Sequence, residues 1–536
     1  MSHGRRAAGR PTRREFLARA GLVALSGAAA GWLPRGAAAA AKRGGTMAVT
    51  GHQEISSLSP DDSGPNVIWT AVTQIHNALL ELDENFNLIP TLASSYTAPS
   101  DGMSYTFRLL HGVKFHDGTE LTADDVKYTY EWYMNPANHA ILANNFKGVD
   151  SVQAVDKYTV RVKMREPNAA FLAKGASTFI VPAAYHGKIG EKAYKSAPIG
   201  TGAFRLKEWR PAEHTLVQAF DQHFRGRPFL DFFRVDIVPE PSVRAIGLQT
   251  GQSDSSVWPL LVEDNLRLAK DPNFVTYVTI TTGVNHFPIN NKRPFFADKR
   301  VRQALMFAIN RQRLIDDIFK GTAAIATSHL SPAFKTYYEP NVVKYPHDPA
   351  KAKALLDEAG WKPGPDGIRQ KGGTRFSFTC TTIVGDQARR PEAEVAQQDL
   401  KAVGIEMKLA EAPVATITEK MRKGEMDASL FNWTYGGSLG DPDPSLTLRS
   451  NGGNNWSQYA NPKVDGLIDA GLREPDPKKR RPYYSEIQKI VAEEAPFVYL
   501  MYWNWYNVFT KRVQGLPKTM FNGPQIYRKA YQWWLA

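Results

Sequence analysis

Between residues 376 and 433 the apolar positions switch period repeatedly, and this alternation restricts the fold more than any other feature of the chain. Phe376 to Val384 reads as a strand, Pro391 to Ala402 as a helix and Ile405 to Glu411 as a second strand. A helix near Thr416 to Lys423 and a strand from Asp427 to Trp433 complete the series. Strands joined through helices pair in parallel with right-handed crossovers, so this stretch predicts an α/β sheet. Cys380 alternates with Phe376 and Phe378, which places it on the buried side of the first strand.

Other elements are marked by their ends. Thr122-Ala-Asp-Asp125 is a capping-box pattern, followed at helical spacing by Val126, Tyr130 and Tyr133. Asp298 opens a helix with Val301, Leu305, Ala308 and Ile309 on one face, and Leu314, Ile315 and Ile318 form a second stopped by Gly321. Asp348-Pro349, Asn461-Pro462 and Asp476-Pro477 each pair a capping side chain with a proline suited to a first turn. Pro482 inside the last of these implies a kink or a later start. Tyr105, Phe107 and Leu109, like Tyr158, Val160, Val162 and Met164, alternate as half-buried strands do.

At 536 residues the chain is longer than one hydrophobic core organises, so two or three lobes are expected. Its N-terminus has the layout of an export signal. Arg13-Arg14-Glu15-Phe16-Leu17 precedes an uncharged run from Ala20 to Leu33, and small residues follow from Ala37 to Ala41. That run is shorter than the ~20 apolar residues a membrane span needs. The paired arginines point to the twin-arginine route, and residues 1–41 read as a removed signal peptide. Cys380 is the sole cysteine, so no intramolecular disulfide forms and no cysteine stands at the cleavage site to take a lipid.

The net charge is +13, of which the seven Arg and one Glu of residues 1–41 carry six, leaving +7. The remaining cations are scattered among Asp and Glu, and the short run Lys478 to Arg481 sits at a helix start. Nucleic acid is therefore not an expected partner.

Four stretches together resemble the extracellular solute-binding proteins of family 5, the dipeptide- and oligopeptide-binding group of ABC importers. They are Tyr105 to Val126, with Phe115-His-Asp-Gly-Thr119 inside it; Pro198-Ile-Gly-Thr-Gly-Ala-Phe204 with Phe224-Arg-Gly-Arg-Pro228; Phe295 to Leu305 with Ile309-Asn-Arg311; and Asp348 to Trp361 with Asn461-Pro-Lys-Val-Asp465. The resemblance implies a two-lobed α/β periplasmic-binding-protein fold of type II, with a hinge and an extra third domain. It assigns 42–80, 199–287 and 506–536 to lobe I, 81–198 to the extra domain and 288–505 to lobe II. The hinge falls near Gly283 to Asn291 and Trp503 to Phe509. It also implies a soluble, monomeric periplasmic protein that hands a solute to ABC permease subunits, with no cofactor, no metal and no enzymatic activity.

One position departs from the pattern. Peptide-binding members similar to this chain place a carboxylate three residues after a tryptophan, where it pairs with the peptide's ammonium. Here the strand ends Phe431-Asn432-Trp433-Thr434-Tyr435-Gly436, so Gly436 stands in that place. Asp441 and Asp443 follow in a turn-rich loop and are the candidate substitutes. Trp433, Tyr435, Gly436, Asp441 and Trp456 are thus the candidate ligand-binding residues, with His286 near the hinge a further one. A peptide is the leading solute, and an oligosaccharide or opine-like compound is the alternative.

Rival chemistries find little support in the spacing. Gly436-Gly437-Ser438-Leu439-Gly440 matches the G-x-S-x-G of hydrolases, but Asp441-Pro-Asp-Pro444 cannot supply the helix that must follow the serine, which leaves a secreted hydrolase as a distant reading. His111 and His116 lie in a strand-turn context with no third ligand nearby.

Overall fold

The strand-helix alternation over 376–434 forms a parallel sheet, and only its last strand departs from the expected course. In the computed structural model Ser377–Ile383 is the central strand, flanked in parallel by Glu406–Ala412 and Ala428–Ser429. The connecting helices are Arg389–Ala402 and Val414–Lys423. The expected strand from Asp427 to Trp433 divides at Leu430. Its second half, Phe431–Thr434, leaves this sheet and pairs antiparallel with Gly283–Pro288. Cys380 is buried as read, and burial pushes its thiol well above the usual range.

The structure describes residues 41–61, 66–83, 87–99, 101–384, 386, 389–434, 441–519 and 523–536. Residues 42–536 form one compact unit, and the proposed signal falls outside the described residues except for Ala41.

Three large hydrophobic cores lie within that unit. In the first body, Met47, Val49, Phe204 and Phe233 pack with Tyr527 and Trp533 from the C-terminal tail. Its strands Thr46–Gly51, Phe232–Ile237, His214–Ala219 and Phe204–Arg210 follow one another across the sheet. The antiparallel body has four strands in the order Ala93–Thr97, Ser104–Leu109, Thr159–Met164, Val149–Asp156. Tyr105, Phe107, Val160 and Val162 project from that sheet onto Val126 and Tyr130 of the helix Ala123–Met134. That helix begins as the capping box predicts, with the Thr122 amide donating to the Asp125 carboxylate at 2.9 Å.

The second body is built around Leu305, Leu356, Phe376, Phe378, Ile468 and Ile487. Its helices start where the caps place them. The side chains of Asp298, Asp348, Asn461 and Asp476 accept from first-turn amides of Lys299–Ala308, Pro349–Glu358, Pro462–Arg473 and Pro477–Glu494. Pro482 is accommodated inside the last of these, which runs unbroken from Pro477.

One strand serves two bodies. Phe497–Thr510 pairs through its first residues with Gly283–Pro288 and Ala323–Ile325, and through its second half with Phe274–Ile280. The result is a ten-stranded sheet running from one body into the other.

His116, weighed above as a metal ligand, instead holds a turn: its ring nitrogens meet the Gly200 amide at 3.2 Å and the Gly202 carbonyl at 3.0 Å. That turn lies directly on the helix Asn66–Ile75. A Cβ on Gly202 would sit 2.2 Å from the Gln74 carbonyl oxygen, so only glycine allows the approach. His111 stacks on Tyr158 with centroids 4.0 Å apart.

Candidate functional site

The crossing strand carries Trp503 and Trp505 on one face, two residues and about 7 Å apart. Trp503 lies against Gly283, where a Cβ would stand 2.6 Å from the indole and 2.9 Å from the Thr434 hydroxyl. Glycine at 283 therefore lets the indole bridge the end of Phe431–Thr434 and the crossing strand. Gly283 pairs with Thr434, and Val284 with Trp433, so the candidate tryptophan is fixed to the same junction.

On the second body's side, Trp433 is half-buried and meets Trp456 nearly perpendicular, at 88° and 5.7 Å. Phe431, two residues earlier on the same strand, also meets Trp456 edge-on, at 4.7 Å and 86°. Edge-to-face pairs of this kind add about 0.5–1.5 kcal/mol each beyond area burial. Ile417, Met421 and Ala412 support them from below. The loop carrying Trp456 is locked by Asn455, whose amide donates to the carbonyls of Arg449, Ser450 and Tyr459. Behind the rings Val284, His286, His329 and Tyr499 leave about 10 Å³, close to the space of one water. His286 lines this interior space, and burial holds its pKa down at about 4.

A second aromatic group belongs to the first body. His52, just past Thr46–Gly51, stacks on Trp258 at 4.6 Å and 27°. Trp258 in turn meets Trp505 edge-on at 5.0 Å and 82°. Burial, with the Arg244 charge adding to it, lowers the His52 pKa to about 4, so the imidazole is neutral at pH 7. The sequence reading did not reach this group. Trp505 could be found from its period-two spacing with Trp503, but His52 and Trp258 come together only through the parallel pairing of Thr46–Gly51 with Ser255–Ser256.

The polar side of the junction centres on Arg389, which donates to Asp386 and Asn432 and lies 5.5 Å from the Phe431 ring centroid. Asn432 is the register partner of Asn285, whose amide donates to both oxygens of the fully buried Glu392 at 3.2 and 3.3 Å.

The candidate carboxylates are engaged within the protein. Asp441 accepts both guanidinium nitrogens of Arg480, at 2.7 and 3.0 Å, and this pair is almost fully buried. Asp443 accepts Lys174 at 2.7 Å, together with the amide and hydroxyl of Ser445. The structure thus brings Trp433 and Trp456 together and directs Asp441 toward Arg480. Tyr435, Gly436 and Ser438 lie outside the described residues.

This arrangement offers aromatic faces from two bodies, disposed about the strand that joins them.

Residues 87–457 match the family described as bacterial extracellular solute-binding proteins, family 5 Middle. The oligopeptide-binding protein AppA of Bacillus subtilis (strain 168) is 28% identical over 492 residues, covering 90% of this chain and 89% of that protein. The glutathione-binding protein GsiB of Escherichia coli (strain K12) is 30% identical over 523 residues, covering 94% and 98%. The fold superposes on the structure of AppA from Bacillus subtilis in complex with a nonapeptide with a TM-score of 0.80, at 28% identity, covering 92% of this chain and 99% of that one.

Proposed function

The chain belongs to the bacterial extracellular solute-binding proteins of family 5, and from that premise we propose that it captures a peptide and delivers it to an ABC importer. The observation that carries the reading is the near full-length match to a protein whose structure holds a nonapeptide. Glutathione, the solute named for a second relative, is itself a small peptide. In this reading the two aromatic groups, His52–Trp258–Trp505 and Phe431–Trp433–Trp456, are opposing walls of the ligand cleft. Phe497–Thr510 and Gly283–Pro288 form the hinge between them.

The solute carried through native purification tests this directly. Mass spectrometry of the small molecules released on denaturation is expected to show a mixed set of short peptides. A single non-peptide compound would replace the reading with an importer subunit for that solute. Trp258→Ala and Trp433→Ala are each expected to weaken binding of the recovered peptides about tenfold, the loss of roughly 1.4 kcal/mol of ring contact. Affinity unchanged in both variants would move the site away from these walls.

Export through the twin-arginine route, with cleavage near Ala41, belongs to the same proposal. No helix among the described residues is long and apolar enough to cross a membrane. Arg13→Lys with Arg14→Lys is expected to leave unprocessed precursor in the cytoplasm. Normal processing of that variant would point to another export route.

A further inference from the structure

The antiparallel body is fixed to the first body through main-chain bonds. Ile180 donates to the Asn77 carbonyl at 3.0 Å, and Leu58 of the first body's core to the Lys195 carbonyl at 2.9 Å. The Asp61 carboxylate accepts the amides of Ile141 and Leu142 at 3.1 and 3.0 Å. Its seam with the second body is of another kind. A cavity of about 360 Å³ runs along it, walled by Asn168, Lys174, Asp443, Arg449 and Arg473. Beside this opening the bodies meet at points: Ala169 donates to the Leu472 carbonyl at 2.6 Å, Glu166 faces Arg473 at 3.7 Å, and Lys174 pairs with Asp443. The Glu166 and Arg473 side chains are about 60% exposed, so their attraction is largely screened. Lys174 and Asp443 are different, with side chains only 21% and 6% exposed.

We propose that Lys174 and Asp443 are the closing latch of the cleft, positioning residues that hold the antiparallel body against the second body while a solute is enclosed. The proposal rests on the reading that this chain binds solute by closure. Two charges contributed by separately cored bodies, joined through a hinge, are buried together only when the bodies meet. Apart, each is solvated by water. A closed state lacking one partner buries an uncompensated charge, which is strongly unfavourable. Asp443 also fixes the segment it sits in, because its carboxylate accepts from Ser445 at the start of the helix Ser445–Leu448, and Asp441 two residues earlier is held by Arg480. The latch therefore grips a preorganised part of the second body and not a free loop.

The test uses the full mature chain carrying its co-purified solute. Release is followed after dilution for the wild type, Lys174→Met, Asp443→Asn and the double variant. Each single change is expected to speed release on the order of 30-fold with little change in the association rate. The double variant is expected to release no faster than the faster single. Lys174→Arg, which keeps the charge, should stay within a few-fold of wild type. Unchanged release in the singles, or multiplied effects in the double, would overturn the latch. Where Asp443→Asn fails to fold, because it also loses the Ser445 contact, Lys174→Met carries the test from the other body. Small-angle scattering separates the latch from the functional reading. If no solute is recovered from any preparation, the binding reading fails, and the latch still predicts a larger radius of gyration for Lys174→Met than for wild type. Identical scattering curves would then remove it.

Discussion

Replacing Arg480 by Met is expected to lower the unfolding free energy by about 3–5 kcal/mol, read from the denaturant midpoint. The guanidinium donates twice to Asp441 and once to Tyr484, and lies 5.7 and 4.7 Å from the ring centroids of Tyr337 and Tyr484. Its surroundings would push the charge off if burial acted alone, but the Asp441 carboxylate outweighs burial and raises its pKa well above the usual value. Removing Arg480 strands a buried carboxylate. Removing both partners does not, so Asp441→Leu with Arg480→Met is expected to recover most of the loss. A single variant costing less than about 1 kcal/mol would place this pair among exposed ones, which are worth that little. The contrast between single and double, more than either value, identifies a buried pair.

The pair has a consequence for ligand recognition. With Asp441 committed to Arg480 and Asp443 to Lys174, both carboxylates of the Asp-Pro-Asp-Pro segment serve to fix that segment. Burial pushes the Asp443 carboxyl up, but the Lys174 charge and the Ser445 contacts pull it down to about 2. It therefore remains charged until strongly acid pH, and its contribution to stability, full above the ordinary carboxylate range, fades only as pH falls toward 2. The compensation for Gly436 that the sequence suggested would require one of these pairs to break on binding.

What the sequence made legible is what depends on near neighbours. The caps at Thr122, Asp298, Asp348, Asn461 and Asp476 were readable because a capping side chain and the amide it serves lie within three residues. The burial of Cys380 followed from alternation with Phe376 and Phe378. The division of the last strand at Leu430 was not readable, since Phe431–Thr434 changes sheets to meet Gly283–Pro288, far away in sequence. The same limit hid the His52–Trp258 stack and the partners of Asp441 and Asp443, each set by contacts between distant segments. Trp433 and Trp456 were singled out separately from their local settings; that their rings meet at right angles is a tertiary fact.

Glu392→Gln is expected to flatten the fall of stability with rising pH. Glu392 lies in the first turn of the helix Arg389–Ala402 and is fully buried behind the junction, where burial raises its pKa to about 8. Arg389 opposes that shift, Asp386 adds to it, and the Asn285 amide favours the charged form too weakly to reverse it. Below pH 4.5 the carboxyl is protonated both folded and unfolded and contributes nothing to the pH dependence. Between there and pH 8 the folded chain keeps a proton that the unfolded chain gives up, so stability falls as pH rises and levels off above the folded pKa. At pH 7 the accumulated loss is on the order of 3 kcal/mol. Glutamine carries no titrating proton and keeps an oxygen for Asn285. The variant should therefore match wild type near pH 4.5 and exceed it progressively up to pH 8, by denaturant midpoints measured across that range. Parallel profiles for the two proteins would mean that Glu392 ionises freely in the folded chain, with water or Arg389 meeting its charge.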